Sequence, residues 1–114
     1  MKKVAIPIAN NRISEYLYKC SNIAVYDLDK NPPDYKLSEK PDFQNTRKLQ
    51  QWLLENGITD IILHRAAKNV VDNFIAEKIN LFVGVPLQTA DQLIEAYLCG
   101  KLESDKNIIS EITN

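Results

Sequence analysis

The spacing of apolar residues changes near the middle of the chain. Up to Leu37 they fall in short runs broken by turn-forming residues, and from Leu49 onward they recur every three or four positions between short uninterrupted runs. The first part predicts strands, and the second predicts helices alternating with strands. Residues 4–8 read as a first strand, in which Pro7 removes one ladder donor and so marks an edge, a bulge or a strand end. Asn10, Asn11 and Arg12 form a turn-rich segment, and residues 14–19 can make one helical turn whose start Ser14 and Glu15 cap. Strand character resumes at 23–28. The break at Asp29-Lys30-Asn31-Pro32-Pro33 is followed by Tyr35 and Leu37 alternating with Lys36 and Ser38, as in a half-exposed strand, so the second and third strands predict a hairpin.

Leu49, Trp52 and Leu53 then follow the i, i+3, i+4 rule, with Asn45 or Thr46 to cap the helix and Gly57 to stop it in the left-handed region. Residues 58–63, ITDIIL, form a β-branched run without a polar face, as in a strand covered on both sides. Ala67, Val70, Val71, Phe74 and Ile75 make one helical stripe and leave Lys68, Asp72, Asn73 and Glu77 in water. Residues 81–85 predict another buried strand. Thr89 and Gln92 match a capping box for a last helix carrying Ala90, Leu93, Ile94, Tyr97 and Leu98 on one face and ending at Gly100. The order β-β-β-α-β-α-β-α implies an α/β fold: a ribonuclease H-like mixed five-stranded sheet with helices on both faces, antiparallel first and then parallel through crossovers. One domain is expected over residues 1–102. Residues 103–114 form a polar tail around Ile108-Ile109 that frays, adds an edge strand or meets a partner.

A chain of 114 residues can bury one real core but not two. Its formal net charge of -1 gives no electrostatic reason to seek nucleic acid or an anionic membrane. No stretch approaches the roughly 18 apolar residues of a membrane span, and the apolar run after Lys2-Lys3 is too short for a signal peptide, so a cytoplasmic location is expected. Cys20 and Cys99 are far apart and form no C-x-x-C pair, which predicts free thiols. Cys99, beside the apolar face of the last helix, reads as a small buried hydrophobe, while the role of Cys20 stays open.

Ligand sites in α/β sheets favour the carboxyl ends of the strands, which here directs attention to the loops at 9–22, 64–68 and 86–89. Two-metal nuclease chemistry needs carboxylates at those ends, and the first strand has none while the fourth runs into His64-Arg65, so nuclease activity is not expected. The candidate binding residues in the loops are Glu15, Tyr16, Cys20, His64 and Arg65. Cys20 and His64 are the metal-ligand candidates, since thiolate and imidazole suit zinc, copper or iron. Two ligands leave a tetrahedral ion half coordinated, so Glu15, Tyr16, water or a second subunit would have to supply the rest. Arg65, before the second helix, could face an anion together with free helix amides.

These loops also carry a family pattern. Lys3-Val4-Ala5-Ile6-Pro7, the segment Ile13-Ser14-Glu15-Tyr16-Leu17-Tyr18-Lys19-Cys20 and Tyr26-Asp27 follow one another in the register of the dinitrogenase iron-molybdenum cofactor biosynthesis family, the NifX-like and NafY-like proteins. Ile61 to Leu63, the His64 loop, Val70 to Lys78, Val83-Gly84-Val85 and the closing Glu95-Ala96-Tyr97-Leu98-Cys99-Gly100-Lys101-Leu102 continue the likeness over nearly the whole chain. The sequence thus resembles a divergent member. It departs from the pattern in the loops: the family's histidine, a cluster contact, is Tyr16, the following glycine is Tyr18, and G-G-x-G is His64-Arg65-Ala66-Ala67. Glycine permits close backbone approach to a ligand, and His64 and Arg65 would fill that space.

The resemblance implies a non-enzymatic binding or carrier domain that handles an iron-sulfur or iron-molybdenum cofactor precursor, with the expected cofactor loops substituted. The alternative is a metal-free relative that acts as a protein-interaction or regulatory module. A protein partner, for instance a cofactor-assembly protein, or a second copy of the chain fits either expectation; nucleic acid and membrane do not.

Overall fold

The computed structural model describes residues 2–30 and 33–104. The elements in chain order are β1 (Lys3–Ala9), β2 (Arg12–Ile13), a 3-10 turn (Leu17–Lys19), β3 (Asn22–Asp27), β4 (Asp34–Glu39), α1 (Thr46–Asn56), β5 (Asp60–Ile62), α2 (Lys68–Ala76), β6 (Asn80–Phe82) and α3 (Ala90–Leu98). They build one open mixed sheet in the order β4-β3-β1-β5-β6, with β2 added beside β1. The β1, β3 and β4 neighbours are antiparallel, whereas β1, β5 and β6 run parallel, as the change of hydrophobic period requires.

Alternation along the strands sorts the core into two layers. Ala5, Ile23, Val25 and Ile61 face Leu49 and Leu53 of α1 and Val70 and Phe74 of α2, with Trp52 packed at the margin. Val4, Ile6, Ala24, Tyr26 and Ile62 face Leu93 and Ile94 of α3. Each Val, Leu, Ile or Phe side chain among them contributes about 1.5–3 kcal/mol on full burial, more than a typical neutral hydrogen bond. The helix ends follow local chemistry. Asn45 accepts from the Lys48 amide at 3.1 Å, Gly57 ends α1 at φ 62°, and Thr89 and Gln92 form the reciprocal capping box of α3.

Several expectations change. Pro7 lies in the middle of the central strand, yet its missing donor does no harm. β1 pairs with β5 at Val4 and Ala5 and with β2 at Ile8 and Ala9, so Pro7 falls where one neighbour replaces the other. Its carbonyl accepts from Ser14 N at 2.9 Å. The strand at 81–85 is shorter and only half-buried, because β6 is an edge. Ala67 and Ile75 are exposed, and the packing stripe of α2 narrows to Val70, Val71 and Phe74. The 58–63 run does contain a buried polar group, Asp60, discussed below. Cys99, expected to be buried, is the cap residue after α3 and is exposed, while Cys20, whose role was open, is buried in the α1–α2 layer. Residues 105–114, most of the polar tail, lie outside the described residues. Ahead of them, Ser104 Oγ accepts from Val83 N at 3.0 Å.

No helix among the described residues is long and apolar enough to cross a membrane.

A candidate ligand site at the loop end of the sheet

A two-residue turn starts the site. Asn10 and Asn11 take φ of 56° and 65°, the left-handed pair of a tight hairpin that asparagine tolerates, and return the chain as β2. Main-chain bonds then tie three loops together. Leu17 N donates to Arg65 O at 2.8 Å, Ile13 N donates to Gln88 O at 2.9 Å, and Tyr16 pairs with Arg65 in a parallel bridge. Ser14 is buried and its hydroxyl donates to Tyr16 O at 2.6 Å, so it braces the loop. It does not cap the 3-10 turn, whose cap position is Tyr16 with no side-chain bond.

Glu15 is exposed, Tyr16 is half-buried and Tyr18 is exposed. Lys19 Nζ lies 5.2 Å from the Tyr16 ring centre and 5.7 Å from that of Tyr18, and the Arg65 guanidinium sits 5.9 Å from the Tyr16 ring. A cavity of about 290 Å³ opens here, lined among others by Asn10, Arg12, Ser14, Glu15, Tyr16 and Lys19. Arg12 and Lys19 were not among the residues expected from sequence. Their signal was weak: each is a single cation in a polar stretch, and only the hairpin return and the 3-10 turn bring them to one cavity.

His64 is half-buried at the end of β5, with Nδ1 2.8 Å from Val85 O. A carbonyl only accepts, so Nδ1 carries a proton and donates this bond. The bond clips the loop after β5 to the loop after β6, and Gly84 N returns a bond to His64 O at 3.0 Å. Cys20 points into the core, where burial raises its thiol pKa against a smaller lowering by Lys40. A raised thiol is a poor metal ligand. Among the described residues no three His, Cys, Asp or Glu side chains come together in a metal-holding group. The donor set therefore does not fit a cluster ligated by protein thiolates.

At the opposite end of the sheet, Asp60 is buried on the α3 side. It accepts from Tyr97 Oη at 3.0 Å and Thr59 Oγ1 at 2.7 Å and lies 3.5 Å from Lys2 Nζ. Burial first, and then this bond to Asp60, pushes the Tyr97 phenol up to about 12. At the same end of the sheet, a cavity of about 180 Å³ is lined among others by Lys3, Asp27, Lys30, Asp34 and Lys36, with Lys30 and Asp34 paired at 3.3 Å. That surface carries charges of both signs and one ion pair.

No protein-family model and no curated protein sequence matches the chain. Solved structures do match. The PH0822 protein superposes with a TM-score of 0.77 at 18% identity, over 92% of this chain and 97% of that one. MJ0327 of Methanocaldococcus jannaschii, provisionally named a dinitrogenase, gives 0.71 at 18% identity over 91% and 94%. The apo form of the orange protein from Desulfovibrio gigas gives 0.70 at 12% identity over 93% and 94%. This chain has their fold. The likeness covers more than nine-tenths of this chain, and at these identities the fold is what is shared.

Proposed function

We propose that the chain is a non-enzymatic binding or carrier domain for an anionic cofactor precursor of the iron-sulfur or iron-molybdenum kind, working with a cofactor-assembly protein in the cytoplasm. The observation that carries this reading is the loop-end cavity with Arg12 and Lys19 beside Tyr16. Cationic side chains and main-chain turns suit an anion, and the buried Cys20 does not suit thiolate ligation. The cargo would then be held by charge and hydrogen bonds, an arrangement that releases it easily. The structural likeness to MJ0327 and the sequence pattern of the first strand and loop support the same reading, as does a meander leading into parallel strands, which we read as ribonuclease H-like.

Reconstitution with iron and sulfide without oxygen, followed by gel filtration, metal analysis and absorbance, tests it. The expected result is cluster absorbance that travels with the protein at low salt, is stripped at high salt, and is lost in the double variant Arg12→Glu, Lys19→Glu. Protein that retains no metal at low salt refutes it and favours the second reading, a metal-free interaction module. One observation speaks for that second reading: Tyr35 and Leu37 of β4 are each more than half exposed.

A further inference from the structure

The sheet ends at β4, and among the described residues no strand covers its outer side. Half of an edge strand's amides and carbonyls point outward and form a template for another strand. The side chains sharpen the picture. On the α3 side of the sheet Tyr35 stacks on Tyr26, with ring centres 5.2 Å apart, and beyond Tyr26 the face carries Tyr35 and Leu37, 54% and 53% exposed. On the α1 side, Ser38 Oγ takes the Trp52 indole N–H at 3.1 Å, in line with Asp34, Lys36 and Lys40.

We propose that β4 pairs antiparallel with β4 of a second copy, about a two-fold axis at Leu37, to make one sheet continuous through both subunits. The register follows from charge and from the reach of the ladder. A two-fold axis perpendicular to the sheet keeps like faces together, so one residue must lie opposite its own copy. An axis at Lys36 sets lysine against lysine, and an axis at Ser38 sets Lys36 against the partner's Lys40; both are repulsive. An axis at Tyr35 sets Pro33, which has no N–H, against the partner's Leu37 and shortens the ladder. The axis at Leu37 joins the two exposed leucines, sets Lys36 against the partner's Ser38, and sets Asp34 against the partner's Lys40, twice by symmetry. Asp34 also lies 3.3 Å from Lys30, and Lys40 donates to Tyr18 O at 3.2 Å, so the cross-subunit pairs select register more than they add affinity. The same Lys36 that rejects the registers centred on Lys36 and Ser38 blunts open-ended strand addition, and the closed symmetry yields a dimer.

Sedimentation of the full chain over a dilution series tests the pairing. The wild type is expected to pass from monomer to dimer with concentration. Leu37→Lys, which changes an exposed side chain, should stay monomeric throughout with an unchanged melting temperature. Lys40→Asp should weaken the dimer by roughly tenfold, and adding Asp34→Lys should restore it. In a Cys99→Ser background, Leu37→Cys should form a disulfide dimer under mild oxidation, a readout independent of the lysine variant. A wild type that is monomeric at every concentration overturns the proposal. So does a dimer that Leu37→Lys leaves intact, or one that the exchanged charges fail to restore.

Discussion

The two ends of the sheet treat their carboxylates in opposite ways. At the amino ends of the parallel strands Asp60 is 2% exposed and fully engaged by Tyr97, Thr59 and Lys2. At the carboxyl ends Glu15 stands in water beside Arg12, Lys19 and a cavity. A buried charge with every partner supplied from within joins β1, β5 and α3 and leaves nothing for a ligand. Exposed charges on loops tied down by main-chain bonds leave their side chains for something else. The more perturbed environment is thus the structural one, and strong burial alone is a poor guide to the site.

The contrast breaks first at Asp60. Asp60→Ala should cost roughly 3 kcal/mol, since it removes two bonds to a charged acceptor and strands the Tyr97 hydroxyl, while Thr59 Oγ1 can turn to Lys3 O at 3.1 Å. Urea unfolding would show it; a loss within about 0.5 kcal/mol, the scatter of an ordinary surface change, would mean the network is dispensable. Tyr97→Phe should cost about half as much at neutral pH. Its pH dependence has a definite sign. The folded phenol is raised to about 12, against roughly 10 unfolded. Its contribution is therefore whole below about pH 10 and declines as pH rises toward 12, because the unfolded chain loses the proton first. Tyr26, raised by burial and by Asp91, acts in the same direction. Unfolding at several alkaline pH values should show a shallower decline in Tyr97→Phe than in the wild type.

Much of this fold was legible where one local rule decided the outcome. Asn45, Gly57, Thr89 and Gln92 end helices by bonds within a few residues, and the change of period located every strand but β2. What was missed depended on neighbours distant in sequence. Pro7 looked like an edge signal because nothing in residues 4–8 tells that β1 exchanges β5 for β2 at that point. Asp60 looked incidental within ITDIIL because its partner Tyr97 is 37 positions away. Cys99 looked buried from its place beside α3 but misses the core by one position past the end of that helix, and Cys20 enters the core only because the 3-10 turn folds it under the sheet. At the candidate site the loops could be named from topology, but Arg12 and Lys19 became visible only with the cavity they line.

At the open end the expected costs are smaller. His64→Ala removes the clip to Val85 and should cost about 1 kcal/mol. His64→Asn, whose amide can donate to the same carbonyl, should recover part of it; equal losses in both variants would assign the effect to the ring's packing.

The smallest stability effect should come from Lys19→Ala. The ammonium lies over two tyrosine rings, a geometry worth about 0.5–1 kcal/mol at best when exposed. Lys19 is exposed, so water and salt compete for the charge and the net change in unfolding free energy should stay within about 0.5 kcal/mol. The same substitution removes one of the two cations lining the cavity that carry the binding proposal. A site at this end requires the two readouts to separate: urea unfolding nearly unchanged, and low-salt retention of a reconstituted iron-sulfide cargo clearly reduced. A stability loss as large as that of Asp60→Ala would show instead that Lys19 belongs to the scaffold, and would erase the distinction between the two ends.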